Sequence, residues 1–498
     1  MLAACFAANS TASPALAAAT ARVHHAVRTS SAEAQREFDE GLTLMYAFNP
    51  EEALGHFQEA ARIDGSMAMA YWGIALTAGP NVNTSYDLER AQIGRDASAR
   101  ALQLAARDSE EAAYAAALAR RYRARTANDI VRAETDYAHA MGSLANRFPG
   151  DLDAQTLYAE SLMDLTPLAM WRADGRPARY TTEVIARLRE VLRRDPNHLG
   201  ANHLYIHAWE GSNTPAEALA SARRLASLAY EPAEEHLAHM PSHIFMRAGL
   251  FDAAIASSLA AVDLCRQYEK TEQTPAHDGY FHHDLQVLEW GYQMTGQWGK
   301  ARDTATEIAA QVNDPTAAAE TYVRFGKYRE LLALPAPARP DVRWHFTHGL
   351  ALAAGGDLSG ADRERAYLAA RRDDDARTAI ARDMLEARLR EARGDRSGAI
   401  DELRDAVSRE DRLRVQEPPA WFVPLRETLG GAQLRAGRFA DARRTFEDDL
   451  RRNPGNGRSL FGLAQALAHV DAARARAARA KFATAWRSAD VALSVDSL

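Results

Sequence analysis

The stretch GRFADARRTFEDDLRRNP, residues 437–454, decides the fold. It opens with Gly437, a variable residue and a large apolar residue, Phe439, and it reaches Ala442 three residues after that. Phe446 follows one helical turn after that Ala, and Pro454 closes the stretch. Small residues let two helices approach closely, while a large apolar side chain fills the groove between them. The stretch therefore predicts the second helix of a packed helical hairpin.

The same spacing recurs along the chain. It is found in GLFDAA (249–254), GQWGKA (296–301) and GDLSGA (356–361). Near the start, the matching offsets hold Gly41, Ala53, Phe57 and Ala60. No sustained alternation of apolar and polar residues indicates strands, so the chain is predicted to be all-α. A single hairpin leaves an apolar face uncovered, so neighbouring hairpins are expected to stack into a solenoid.

This pattern resembles the tetratricopeptide repeat (TPR), a helix–turn–helix unit of 34 residues. The match is good at 34–66, 199–312 and 342–456 and weak at 67–190. The resemblance implies a right-handed helical superhelix. The predicted divisions are a leader outside the fold (1–30), an N-terminal repeat block (31–333), a Pro-rich linker (334–344), and a C-terminal block that ends in capping helices (345–498).

Composition excludes several classes of function. The net charge of −7 over 498 residues offers no basic field for nucleic acid. Cys5 and Cys265 are too few for a disulfide framework, and no apolar run reaches the roughly 18 residues of a membrane span. The stretch LAAC (2–5) is either a truncated bacterial lipobox or a chance occurrence in an Ala-rich leader. The first reading predicts a lipoprotein of the bacterial cell envelope, and the second predicts a cytoplasmic protein.

One predicted helix carries a stripe of metal-binding residue types. In ANHLYIHAWEGS (201–212), His203, His207 and Glu210 are spaced by four and three residues. At about 100° per residue, their side chains share one helical face. Two imidazoles one turn apart form a chelating pair that zinc, iron, copper and manganese accept.

The next helices continue this stripe. Residues 198–283 hold nine of the sixteen His residues. In the TPR register, the stripe residues take positions that the resemblance places on the concave groove of the superhelix. These residues are His203, His207, Glu210, His236, His239, His243 and His283. Adjacent packed helices lie about 8–10 Å apart, so side chains aimed into one hollow can reach the same ion. The set is enough for one ion with supporting partners or for two ions; the alternative is a His-lined groove that binds peptide by hydrogen bonds.

The weakly repeating region contains two interrupted segments. Asn81 follows a Gly–Pro break, and Asp164 and Trp171 flank another Pro-rich turn. Loops that depart from a repeat are often used for binding, so these three residues are candidates to line the groove, with insertion drift as the alternative. The insertion KTEQTPAHDGYFHHD (270–284) is a candidate lid over the groove. Cys265 is predicted to be a buried small hydrophobe.

Four stretches together resemble one family of bacterial TPR proteins. They are AMAYWGIALTAGPNVN (68–83), LMDLTPLAMW (162–171), NHLYIHAWE (202–210) and HMPSHIFMRAG (239–249). The resemblance covers about residues 24–310 and includes a Tyr–Pro–His–Asn–x–His pattern, which here reads YFHHDLQ. His283 and Asp284 occupy the His and Asn places, and Gln286 stands where the pattern has its later His. One ligand that the resemblance implies is therefore absent.

Two functions remain open at this point. The first is a metalloenzyme, a hydrolase or an oxygenase, that holds one or two ions of zinc, iron, manganese or copper and acts on a small substrate in the groove. Glu210 would then be a ligand or, if it is not one, the general base. The second is a scaffold that binds a peptide or protein partner in its groove without catalysis. In either case the C-terminal repeats are a candidate surface for a protein partner.

Overall fold

The computed structural model describes residues 22–272, 278–371 and 375–498. Cys5 and His277 lie outside the described residues. The helices of the first half are α1 (Ala32–Tyr46), α2 (Pro50–Ile63), α3 (Ala68–Thr77), α4 (Ala91–Leu104), α5 (Glu110–Arg121), α6 (Ala127–Arg147), α7 (Leu152–Met163), α8 (Thr181–Arg194), α9 (Leu199–Glu210), α10 (Leu219–Leu225), α11 (Glu235–His239), α12 (Pro241–Arg247) and α13 (Phe251–Glu272). The second half contains α14 (Asp278–Met294), α15 (Trp298–Val312), α16 (Thr316–Arg324), α17 (Tyr328–Leu331), α18 (Val342–Ala354), α19 (Leu358–Ala370), α20 (Ala376–Ala392), α21 (Arg396–Glu410), α22 (Leu425–Arg435), α23 (Phe439–Arg452), α24 (Gly457–Ala468) and α25 (Ala472–Ala485). Short 3₁₀ turns lie at Pro215–Ala218, Pro232–Glu234 and Val495–Ser497.

Consecutive helices pack as antiparallel hairpins that stack side by side. Helix α1 packs on α2 and also on α3, and the same alternation recurs where α18 contacts α20 and α22 contacts α24. Within the described ranges the only β-type pairings are two isolated bridges, Asn81–Thr84 and Trp171–Pro177. The all-α, TPR-type solenoid predicted from the repeat is confirmed.

Phe57 shows why the repeat needs its small residues. A Cβ atom built on Gly41 would lie 2.7 Å from the Phe57 ring, and one on Gly73 would lie 2.3 Å from it. The ring is fully buried between α1 and α3. Phe446 is held in the same way between Gly430 and Gly462. The spacing therefore encodes a large ring wedged between the glycines of two flanking helices.

This wedge yields a stability prediction. Replacing Gly73 with Ala is expected to lower the free energy of unfolding by about 1–3 kcal/mol, because the new methyl group overlaps the Phe57 ring. Gly55 lies on α2 with no atom within 4 Å of its built Cβ, so Gly55→Ala is the matched control and is expected to stabilise by about 0.5–1 kcal/mol. Urea unfolding followed by circular dichroism measures both. Equal effects of the two substitutions would contradict the wedge.

Both ends of the described chain contact the helical repeats. Residues 1–30 are predicted to lie outside the fold, but residues 22–30 contact the helices of the N-terminal block: His25 Nδ1 is 2.8 Å from Asp153 Oδ2, and Thr29 donates to Asp64. At the other end, Asp490 accepts hydrogen bonds from the backbone amides of Trp298 and Gly299 at the start of α15. The polypeptide after α25 thus reaches back to the middle of the chain.

Apolar clusters run through both blocks. One core extends from Ala34 to Met294, and others follow through 255–308, 319–351, 346–432 and 434–478. The predicted linker 334–344 lies between α17 and α18 and reaches into the first residues of α18. In the described part of the chain, no helix combines the length and apolar character needed to cross a membrane.

Candidate metal centre

Helix α9 presents the first imidazole pair. The Nε2 atoms of His203 and His207 lie 3.1 Å apart. On the far sides of the rings, His203 Nδ1 is 2.7 Å from the Tyr46 carbonyl oxygen, and His207 Nδ1 is 3.0 Å from Glu210 Oε1. Spacings of four and three residues on a helix account for this arrangement, because they place all three side chains in one row.

Helices α11 and α12 present a second pair with the same construction. They follow each other almost without a break, since Met240 is helical and Pro241 occupies the first turn of α12. The Nε2 atoms of His239 and His243 lie 2.9 Å apart. His239 Nδ1 is 2.7 Å from Asp284 Oδ1, at an angle that is poor for a hydrogen bond. His243 Nδ1 is 2.5 Å from Glu417 Oε2.

A third imidazole joins each pair. His203, His207 and His236 form one group, and His239, His243 and His283 form the other. Within each group, one nitrogen from every ring lies within 4.8 Å of the others. The two groups are adjacent, because the ring centroids of His236 and His239 are 6.2 Å apart. The structure thus brings all six predicted histidines together in two groups, which we call the first and the second triad.

The protein leaves nitrogen lone pairs of the first triad without a hydrogen-bond donor. A carbonyl oxygen only accepts, so His203 must donate from Nδ1, and a neutral ring then has a lone pair at Nε2. His207 likewise has a lone pair at Nε2 when its Nδ1–H donates to Glu210. Two lone pairs would face each other across 3.1 Å unless a positive charge lies between them. Two imidazoles on one tetrahedral zinc ion lie about 3.3 Å apart, so this spacing suits a shared metal.

The third ligand of the first triad is also unsatisfied. His236 is 3% exposed, and neither of its ring nitrogens has a hydrogen-bond partner. A buried imidazole without partners is costly, because it has lost its hydrogen bonds to water. A cation bound between the rings could satisfy both the unpartnered nitrogens and the opposed lone pairs.

Burial keeps most of these rings neutral. It lowers the pKa of four of them well below the usual 6.5, and the neighbouring imidazoles lower it further. These four are His203, His236, His239 and His283. His243 differs: burial alone disfavours its charged form, but the charge of Glu417 raises the pKa of His243 to about 9. Neutral imidazoles are the form that binds metal.

Three carboxylates surround the triads from outside. Glu210 links them, since its Oε1 atom contacts His207 and its Oε2 atom lies 4.0 Å from His243 Nδ1. Asp284 and Glu417 stand behind His239 and His243. Carboxylates that face the Nδ1 atoms orient the rings and raise the basicity of the Nε2 atoms, as the outer partners of metal-binding histidines do. Glu210 therefore occupies a supporting place behind His207, facing the Nδ1 side of the ring.

Aromatic rings pack around the first triad. Phe48 has a positive φ and lies with its ring centroid 4.4 Å from that of His203 and 5.4 Å from that of His236. Tyr280 of α14 packs on His236 from another side, with the centroids 4.5 Å apart. These contacts keep bulk water away from the imidazoles and strengthen electrostatic interactions there.

The predicted groove residues lie in other surroundings. Asn81 is buried in the turn that closes on Thr84, and Asp164 forms a buried ion pair with Arg121. Trp171 lies nearer the triads: it packs on Trp209 and donates its indole N–H to the Ala208 carbonyl of α9. The centre of the candidate lid, residues 273–277, lies outside the described residues, so the lid remains a prediction.

Glu417 was missed by the sequence analysis. It lies 174 residues from His243, in the loop between α21 and α22. No local spacing could have connected the two positions. Cys265 is buried as predicted, and its thiol lies 3.5 Å from Asp284, so it supports the carboxylate behind His239.

The comparisons with known proteins concern the fold. No family model matches the chain, and no curated protein matches it in sequence. The chain is similar to the crystal structure of the APC/C hetero-tetramer Cut9–Hcn1, with 14% identity, a TM-score of 0.31, and coverage of 87% of this chain and 76% of that chain. It is also similar to yeast Tom70, with 11% identity, a TM-score of 0.32, and coverage of 90% of this chain and 96% of that chain.

Proposed function

We propose that this TPR-like solenoid is a metalloprotein that binds one transition-metal ion at each His triad. The observation that carries the proposal is the pair of opposed Nε2 atoms in each triad, 3.1 Å and 2.9 Å apart. Three imidazoles hold an ion and leave a coordination position open. The residues that would hold the ions are His203, His207 and His236 in the first triad and His239, His243 and His283 in the second.

The surrounding charges support this assignment. Two divalent ions add four positive charges, and the carboxylates of Glu210, Asp284 and Glu417, which are 19%, 2% and 9% exposed, would offset much of that charge. Without an ion, His243 is protonated, because the adjacent Glu417 carboxylate raises the pKa of His243. An ion at the second triad would replace the proton at His243 Nε2 and contact the Nε2 atoms of His239 and His243, while His243 Nδ1 would continue to donate to Glu417.

The type of donor atom limits which metal ions the triads favour. All six inner donors are imidazoles, and the carboxylates face the outer nitrogens. An all-imidazole set favours copper, with zinc next, over manganese. An open position in a secluded hollow suits metal-assisted hydrolysis or oxygenation of a small substrate, and the protein's own contribution is to orient the rings and exclude water. This is the reaction class that we propose.

Elemental analysis tests the proposal directly. Full-length protein purified without a His-tag or a nickel column is expected to contain close to two metal ions per chain, or to take up two ions of copper or zinc after chelation. Protein that neither contains nor takes up metal would overturn the metal centre. The peptide-binding scaffold would then be the better reading of the groove.

Replacing an outer carboxylate is expected to weaken metal binding at one triad only. Glu417→Gln is expected to weaken metal binding at the second triad by about 10–100-fold and to leave the first triad unchanged, because its recorded contact with a triad histidine is to His243. Glu364, which holds His345 and His348 far along the chain, provides the control Glu364→Gln. Competition with a chromophoric chelator measures both affinities. Equal losses at the two triads would contradict this assignment of Glu417.

A further inference from the structure

The corner between α1 and α2, residues 46–49, lies against the first triad. Tyr46 is the last residue of α1, and its carbonyl oxygen accepts a hydrogen bond from His203 Nδ1 at 2.7 Å. This oxygen is available because the last carbonyls of a helix have no partner within the helix. Pro50, four residues later, has no N–H that could compete for it. The corner therefore holds one ligand of the first triad by a main-chain atom.

The corner also contacts the other two ligands. The Phe48 ring packs on every imidazole of the first triad, with ring centroids 4.4–5.6 Å away. Asn49 donates from Nδ2 to the Ala233 carbonyl at 3.0 Å, three residues before His236, while its Oδ1 atom caps α2 by accepting from the Glu52 amide. The corner thus joins α9, which carries the first two ligands, to the turn that leads into α11, which carries the third.

The corner is itself held from two sides. The Tyr46 hydroxyl donates to Asp153 of α7 at 2.6 Å, and His25 contacts the other oxygen of the same carboxylate. The Tyr46 ring covers Gly200 of α9, where a built Cβ atom would lie 2.3 Å from the ring. A main-chain oxygen cannot be moved by a change of rotamer, so the contacts of the Tyr46 side chain help to fix where this oxygen meets His203.

The second triad is supported differently. In the described part of the chain, none of the hydrogen bonds or ring contacts of the corner involves the second triad, whose outer partners include the side-chain carboxylates of Asp284 and Glu417. We infer that Tyr46 and Asn49 are positioning residues of the first triad, which set the spacing between α9 and α11 and thereby the affinity for the first ion only. This inference rests on the proposed metal centre.

Titration of the full chain with copper(II) against a chromophoric chelator tests the inference in two backgrounds. His243→Ala leaves only the first triad with three imidazoles, and His207→Ala leaves only the second. Tyr46→Phe removes the hydroxyl but keeps the ring and the carbonyl. Asn49→Ser keeps a cap for α2 but is too short to reach Ala233. Each is expected to weaken copper binding at the first triad about fivefold to tenfold, to change the electron paramagnetic resonance spectrum of that copper, and to leave the second triad unchanged.

Tyr114→Phe is the matched control. Tyr114 is also buried and also donates to an aspartate, Asp151, but it lies on α5 and outside the corner. It should lower the urea midpoint about as much as Tyr46→Phe and leave the copper affinity of both triads unchanged.

Three results would overturn the positioning role while the metal centre stands. They are an unchanged affinity of the first triad in Tyr46→Phe and Asn49→Ser, an equal loss at both triads, and a loss in Tyr114→Phe as large as in Tyr46→Phe. A parent chain that binds neither copper nor zinc would overturn the metal centre and this inference with it, and elemental analysis of the parent chain distinguishes that outcome.

Discussion

Replacing His207 and His243 together with Ala is expected to reduce bound metal from about two ions per chain to nearly none. Each single substitution is expected to remove one ion, because each residue contributes an inner imidazole to a different triad. Loss of an outer partner already costs about 10–100-fold in metal affinity, so loss of an inner donor should cost more. Elemental analysis after gel filtration measures the result.

The control for this experiment lies within the same chain. His345 and His348 are also close together on one helix, and both contact Glu364. Their joint replacement with Ala should leave two ions per chain. Far-UV circular dichroism checks that all variants keep their helicity. If the His207 and His243 variants retain metal while remaining folded, other residues hold the ions and the triads are not the centre.

The fold was predictable because its rule is local. A large ring fits between small residues of flanking helices. The Phe57 ring packs against Gly41, which lies only a few helical turns away in the sequence. The convergence of the histidines was predictable for a related reason, since a constant register repeats the same face in successive helices. His203 and His207 share a row on α9, and His239 and His243 share a row across α11 and α12.

The outer part of the site was not predictable in this way. Glu417 reaches His243 from a Pro-rich loop of the C-terminal block, so the contact depends on how distant parts of the chain pack together. The orientation of Glu210 could not be predicted from spacing either. Its spacing placed it on the stripe, but only the atoms show that it contacts the Nδ1 side of His207, behind the face that His203 shares.

A second large effect is expected at the buried ion pair between Arg324 and Glu427. Both side chains are 2% exposed, and Glu427 also accepts a hydrogen bond from Asn456. Glu427→Leu would leave the Arg324 guanidinium buried without its counter-ion. We expect the free energy of unfolding to fall by about 3–5 kcal/mol, measured as a lower urea midpoint.

The double variant Arg324→Met with Glu427→Leu separates charge from packing. Replacing both partners by apolar residues is often close to neutral, so the double variant should recover most of the stability that the single variant loses. The pair also joins α16, before the predicted linker 334–344, to α22, after it. If the pair couples the two blocks, Glu427→Leu should speed hydrogen exchange in α16 as well as in α22. Faster exchange confined to α22 would mean that the blocks open independently and that the ion pair stabilises only the C-terminal repeats.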